Sequence, residues 1–475
     1  MTTAIALVVS ALVATVVWVM IETIGACGTF GSGVKQIDGE CVGVTDGSYV
    51  FLPELAEVEQ KIAQENARVR QESSSYVTVA VLDPLASAPP GIALPPGVLR
   101  NRLEGAYTAL RRVNAPAVGD SGPSIQLVLA SQGSTGSQWG HVRDQLVAMT
   151  NQDNPLVAVV GLGVSSRQTV RQVTELSEQG IPMIGAWLSA DTLNYDRSPG
   201  LIRTSPSNKD YVAALGEYVD LTDLKSAVTV VDANPEDIFV QTLENDFKRR
   251  MNDLKNLSTL RFAGTAVPGD ASPVLFSGVT ADICSARPDA VLYAGRPIDF
   301  SRFLESLENR SCVHDPVTVL TAGIDLGKVL EAQEDDLRAA NLTVVIASTV
   351  NVDGWRLNAP GTPRYYQDFV SEFQRFGFDP GHLDETDAIM MHDALLTAGQ
   401  AVELAAASRP SVTAGTVLDQ LLNLNGAAAV QGASGRLSFS SESSGDPVGK
   451  PVPVLQYPPP SPGTSRQVAL YTVER

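Results

Sequence analysis

The chain has 475 residues, 44% of them hydrophobic and 18% charged, which is the profile of a globular protein rather than a disordered one. Its 34 basic and 53 acidic residues leave a net charge of −19. That balance excludes broad electrostatic binding to nucleic acid or to anionic lipid, and the length allows more than one domain.

Ala4 to Ile21 is apolar and uncharged. At about 1.5 Å per helical residue it nearly spans a hydrocarbon core. No Lys or Arg precedes it, so it reads as an uncleaved membrane anchor, with a cleaved or lipid-modified signal as the alternative. Gly28 to Tyr49 is rich in Gly and Asp and reads as an irregular cap or stalk. Leu52 to Glu72 carries a helical stripe of Leu55, Val58, Ile62 and Val69, with Pro53 at its start. Tyr76–Leu82 is a β-branched strand, and the Pro-rich stretch from Asp83 to Gly97 is a candidate lip of a cleft. Helix follows at Leu99–Val113, strand at Ile125–Ala130, and helix at His141–Thr150.

Leu156 to Ser189 is the most informative stretch. Leu156–Gly161 is a buried parallel strand, Gly163, Ser165 and Ser166 make a polar turn, and a helix follows until Gly180 and Pro182 stop it. Ile181–Ala186 returns as the next strand. In such a β-α-β unit the strand ends and the helix N-terminus converge on one edge, where open parallel sheets bind ligands. Leu201–Pro206 leaves this lobe. The rhythm then restarts, with strands at Ala227–Val231, Leu260–Phe262, Ala290–Tyr293, Val317–Thr321 and Val344–Ala347 and helices between them. Helices at Pro363–Phe376, Ala388–Ala407 and Thr416–Leu422 precede β-like segments at Arg436–Phe439, Val452–Gln456 and Val468–Val473. The fold class is α/β, with two doubly wound β/α lobes and a cleft between them.

The four cysteines, Cys27, Cys41, Cys284 and Cys312, contain no CxxC, so a zinc site is not indicated. An even count beyond a membrane segment fits two disulfides outside the cytoplasm. Local pairing, Cys27 with Cys41 and Cys284 with Cys312, is the simplest of three connectivities. Ile24-Gly25-Ala26-Cys27 also resembles a bacterial lipobox, which would spend Cys27 on lipid instead.

Nothing in the motifs indicates catalysis. The histidines are His141, His314, His382 and His392; there is no HExxH, no GxSxG and no phosphate loop. The Gly161-Leu-Gly163 turn lacks the third glycine of a dinucleotide fingerprint, and no cofactor is expected.

The order of several segments resembles the type I periplasmic binding proteins, in particular the leucine/isoleucine/valine-binding branch of ABC-importer receptors. These segments are VVGLGVSSRQT, IPMIGAWLSADTL, LIRTSPSNKDYVAALGEYV, PDAVLYAGRPID, YYQDFVSEFQRFGFDP, TDAIMMHDALLTAGQAV and GASGRLSFSSESSGDP. The front segment GECVGVTDGSYVF resembles an actinobacterial, membrane-anchored subset. The resemblance implies an anchor or signal over residues 1–25 and an extracytoplasmic cap with a helix over 26–75. It implies a first lobe over 76–203, completed by about 350–430, and a second over 204–349, completed by 431–475. Interlobe crossings near Leu201–Pro206, Val350–Trp355 and Gln431–Ser434 would be the hinge.

By position, Ser165 falls on the family's ligand serine, and Leu188 and Ser189 fall on the loop that offers the ligand a backbone amide and a hydroxyl. Ser166 and Trp187 flank them. Asp299 falls on the acid that holds a ligand ammonium, and Arg296 stands beside it, placed to pair with that acid or to bind an anionic group. The implied function is an extracytoplasmic receptor that closes its lobes on a small, amino-acid-like solute for ABC import or sensing, meeting ABC permease subunits or a signalling partner. The alternative is a membrane-tethered signalling or interaction protein that kept the fold and lost the ligand.

Overall fold

A computed structural model describes residues 27, 33–86, 94–115, 122–264, 276–323, 326–461 and 463–474. The expected membrane segment lies outside them. Among the described residues no helix is long and apolar enough to cross a membrane.

Two seven-stranded sheets organise the chain. In sheet one the strands β3 (Tyr76–Asp83), β4 (Ser124–Ser131), β5 (Leu156–Gly161), β6 (Met183–Gly185) and β7 (Leu201–Arg203) are parallel. They carry apolar residues on both faces because helices cover both faces, as parallel sheets require. On one side lies the Asp387–Ser408 helix, packed on the Pro96–Val113 helix. Gly105 permits this approach, since a Cβ there would run into the Ala388 carbonyl.

The segment before Tyr49, expected to be irregular, instead forms a hairpin of β1 (Val34–Ile37) and β2 (Glu40–Thr45). Asp38 and Gly39 both take positive φ, 50° and 85°, which matches the right-handed twist of the flanking strands. β2 then pairs antiparallel with β4, so the hairpin extends sheet one in the order β1-β2-β4-β3-β5-β6-β7. Leu201–Arg203, expected as a departure, pairs with β6 as the last strand of that sheet.

Sheet two has five parallel strands, β8 (Ser226–Asp232), β9 (Lys255–Phe262), β10 (Ala290–Ala294), β11 (Val317–Ala322) and β12 (Leu342–Ala347). The antiparallel β15 (Pro451–Tyr457) and β16 (Gln467–Thr472) complete it. A small hairpin, β13 (Val430–Gly432) with β14 (Gly435–Leu437), stands apart from both.

The chain passes between the lobes three times. After β7 it enters the Asn208–Asp220 helix, whose start is fixed by a reciprocal Ser207–Asp210 capping box. After β12 it returns, and Val350, Val352 and Trp355 bury themselves in the core of lobe one. The third crossing comes later than Gln431–Ser434. Ser444 and Asp446 still bond to Tyr195 and Arg203 of lobe one, and the chain enters sheet two only at Pro451. The delay has a physical cause. Asp393, buried in the Asp387–Ser408 helix, accepts the Ala433 and Ser434 amides at 2.7 and 2.8 Å and so ties the small hairpin to lobe one.

Both disulfides are present with local pairing, Cys27–Cys41 and Cys284–Cys312, with Cα–Cα distances of 5.3 and 5.5 Å. The Cys27 sulfur is therefore engaged with protein rather than free for a lipid thioether.

Lys450 is fully buried at the third crossing and donates to Ser434, next to Asp393 and His392. Burial pulls its pKa from 10.5 down to about 8, with Asp393 opposing. Between those values the unfolded chain binds more protons than the folded one, so this lysine makes stability rise with pH across that window. Lys450→Met is expected to flatten that rise relative to the native chain, measured as the difference in urea midpoints between pH 7.5 and pH 10.

Candidate functional site

The C-terminal ends of the sheet-one strands meet lobe two at a cleft. The β5 turn is tight. Gly161, Leu162 and Gly163 all have positive φ, 94°, 68° and 63°, and the Leu162 side chain is buried beneath them. This turn delivers Ser165 and Ser166 to the start of the Arg167–Glu178 helix. Ser166 caps that helix, accepting the Thr169 amide at 3.2 Å. Ser165 does something else. Its hydroxyl oxygen accepts the amides of Ser189 and Ala190 at 3.1 and 3.2 Å. The serine and the loop that resemblance assigned jointly to a ligand therefore bond to each other.

Arg203 holds the same loop from below. It is buried, paired with Asp446 at 2.5 Å, and donates to the Ala190 carbonyl at 2.9 Å. Ser205 Oγ donates to the Leu188 carbonyl at 2.8 Å. The Leu188 side chain is fully buried in lobe one, so only its backbone faces this network. Ser189 lines the cleft, and its carbonyl accepts the Asn208 amide across the first crossing at 2.7 Å.

Arg296 stands opposite, immediately before the Pro297–Glu308 helix. Its pairing partner is Asp237, not Asp299, through bonds of 2.7 and 2.9 Å. The guanidinium lies 4.6 Å from the Phe239 ring centre and donates at 2.8 Å to the Ser165 carbonyl of the other lobe. Beside it the Arg167 amide donates to the Glu236 carbonyl at 3.0 Å, and Arg167 Nε donates to the Pro235 carbonyl at 2.8 Å. Ile238 of lobe two packs into the lobe-one core. The lobes are thus in direct contact. Asp299 sits in the first turn of its helix, fully buried in lobe two. Burial raises the pKa of Asp232 and of Tyr293 close by, with neighbouring carboxylates adding to the rise and the Asn234 and Gly264 amides opposing it at Asp232. Asp299 does not line the cleft pocket.

That pocket holds about 350 Å³ of atom-free space, partly open to solvent. Trp187 and Ser189 wall it from lobe one, Tyr211 and Gly323 from lobe two, and Ser205, Ser348, Thr349 and Thr386 from the crossings and the adjoining helix. Trp187 is set from behind. The Arg102 guanidinium lies 3.6 Å from its ring centre and is fixed by Asp83 and Asp387, each at 2.9 Å. The Trp187 Nε1 donor is buried and has no hydrogen-bond partner among the described residues. Tyr211 hydroxyl and Thr349 Oγ1 are hydrogen-bonded across the pocket. The histidines near the acidic stretch belong to the scaffold. His392 is buried against Asp393 and Phe369, and His382 pairs with Glu104 at 2.8 Å.

Of the residues that the resemblance assigned to a ligand, Trp187 and Ser189 line this pocket, and Ser165 and Arg296 form the interlobe contact beside it; Asp237, Arg102, Tyr211, Thr349 and Thr386 were not singled out from the sequence. Asp237 was readable as a helix cap, since it precedes the Ile238–Arg250 helix and accepts the Val240 amide. Its pairing with Arg296 had no local signal.

No protein-family profile matches the sequence, and no curated protein matches it. Solved structures do. The branched-chain amino acid binding protein LivJ from Streptococcus pneumoniae, in complex with isoleucine, superposes with a TM-score of 0.58 at 15% identity, covering 84% of this chain and 100% of that one. The leucine-binding protein LivK from Thermotoga maritima gives 0.59 at 17%, covering 83% and 99%. A solute-binding protein of an ABC transporter from Rhodopseudomonas palustris HaA2, in complex with p-hydroxybenzoic acid, gives 0.61 at 14%, covering 84% and 98%. The chain has the type I periplasmic-binding-protein fold. In this periplasmic-binding-protein fold the expected two-lobe architecture holds, and the β1–β2 hairpin adds two strands to the edge of sheet one.

Arg296→Met leaves Asp237 buried without its cation and removes the bond to Ser165. Breaking one partner of a buried pair costs about 3–5 kcal/mol. The expected result is a loss of that order in urea denaturation and a larger radius of gyration by small-angle scattering, as the lobes part. An unchanged radius would show that this contact does not hold the cleft shut.

Proposed function

We propose that the chain is an extracytoplasmic solute receptor, anchored through its N-terminal apolar segment, that closes two lobes on a small solute for ABC import or for sensing. The observation that carries this reading is the pocket walled by both lobes and their crossings, with the Trp187 and Tyr211 side chains in its lining. The chemistry of the lining guides the solute class. Among the described residues it presents two aromatic rings and five hydroxyl side chains of Ser and Thr, and no Lys, Arg, Asp or Glu. Arg296 and Asp299, the charges that an amino-acid-like solute would need, are respectively paired within lobe two and buried away from the pocket. This favours an uncharged, hydrogen-bonding solute with a planar or aliphatic body. It departs from the amino acid implied by the resemblance.

One observation favours the second reading, a tethered interaction protein without a ligand. Ser165 is engaged by its own lobe through the Ser189 amide and by Arg296 of lobe two, so the two lobes contact each other directly where the resemblance places a ligand.

The two readings separate in a thermal-shift screen of the detergent-solubilised chain against neutral amides, small polyols, aromatic acids and branched-chain amino acids. The receptor reading expects a neutral solute to raise Tm by several degrees and Trp187→Ala to abolish the shift. No stabilising solute, in either the native chain or the Arg296→Met variant with its cleft released, would leave the interaction reading standing.

A further inference from the structure

The anchor reaches the folded domain at an unexpected place. The apolar segment ends at Ile21, and Cys27 is joined by a disulfide to Cys41. Only residues 22–26 lie between, and five residues reach at most about 18 Å when fully extended. Cys41 is at the cleft end of lobe one. In the β2–β4 register Gly43 faces Ser131, the last residue of β4, so Cys41 and Glu40 project past the strand end. That is the same sheet edge at which Ser165 and the Trp187–Ala190 loop stand. The opposite pole, at Asp153, is one eight-residue strand away, roughly 26 Å.

We propose that this rim of the cleft, formed by the Asp38–Gly39 turn, Glu40 and the 133–138 loop, lies against the lipid bilayer surface. The inference rests on the anchor reading above. The exposed side chains of the hairpin are Lys35, Gln36 and Asp38, of mixed charge and with nothing apolar to insert. The net charge of −19 supplies no attraction to anionic lipid, so the short tether does the holding. The rim is also continuous with the interlobe contact. The Glu40 carboxylate accepts the Ser134 amide at 3.1 Å, and Gln168 Nε2 donates to the Gly136 carbonyl at 2.7 Å. Arg167, next in sequence to Gln168, makes the bonds to Pro235 and Glu236 of lobe two. Lobe one is thereby the stationary lip at the membrane, and closure of lobe two happens at the bilayer rather than at the pole facing away from it.

The test places the full chain in phosphatidylcholine vesicles containing a lipid with a nitroxide-labelled headgroup. A fluorophore is attached at Asp38→Cys or, separately, at Asp153→Cys; both positions are exposed. Quenching at position 38 is expected to exceed that at 153 at least twofold. Inserting about twelve Gly/Ser residues between Gly25 and Ala26 keeps the disulfide and adds a flexible span of about 20 Å. It is expected to erase most of the difference. Equal quenching at the two positions, or stronger quenching at 153, in vesicle-bound protein overturns the inference and leaves the anchor reading intact. Release of the chain from vesicles by alkaline carbonate removes the anchor reading and the inference with it.

Discussion

The Arg296 guanidinium is the joint on which the two lobes meet. Two of its bonds go to Asp237 in its own lobe, so the charge is neutralised before it reaches across. The third goes to the Ser165 carbonyl, and the Phe239 ring supports the flat face. A guanidinium suits this task because its donors are fixed in one plane and can serve three oxygens at once. Ser165 is engaged on both sides, with its carbonyl bonded to lobe two and its hydroxyl to the amides of the Ser189–Ala190 loop. A movement of Arg296 therefore bears on the loop that walls the pocket, through a single residue.

The cleft withdraws its charges from solvent and leaves hydroxyls and rings at its surface. Arg203 with Asp446, and Arg102 with Asp83 and Asp387, are buried pairs that set the backbone and the Trp187 ring from behind. Burying such pairs gains little net stability, and removing one partner is costly. Their contribution is geometric. They fix where the indole and the loop amides stand, so the shape of the pocket is set by the protein's own buried pairs.

Much of the fold was legible in the sequence. The parallel strands announced themselves as short, apolar, β-branched runs, and the long scaffold helices by their apolar faces. The β1–β2 hairpin was legible too, since Asp38-Gly39 between Gln36-Ile37 and Glu40-Cys41-Val42 is a two-residue turn signal, yet the surrounding glycines suggested irregular chain. Leu201–Arg203 was too short to be separated from the crossover that follows it. At the site, the strand-turn-helix at Ser165 was visible because caps and turns are local. The Arg296–Asp237 pair joins residues 59 positions apart, and the Arg102–Asp387 pair spans 285, so neither leaves a pattern in one sequence. Asp299 was assigned by position through the resemblance of PDAVLYAGRPID to the family's lobe-two ligand strand; its burial inside lobe two depends on how its helix packs, which a positional match does not report.

The chain order of sheet two has a consequence for biosynthesis. β12 sits inside that sheet, but its neighbour β15 comes only after the helix that seals lobe one and the small hairpin tied to Asp393. Until the last strands are made, β12 offers an open row of backbone donors and acceptors, flanked by Val344, Val345 and Ile346. Such a row is a template for pairing with any passing strand. Lobe one can assemble while the chain is still emerging, whereas lobe two stays unfinished and sticky to the end.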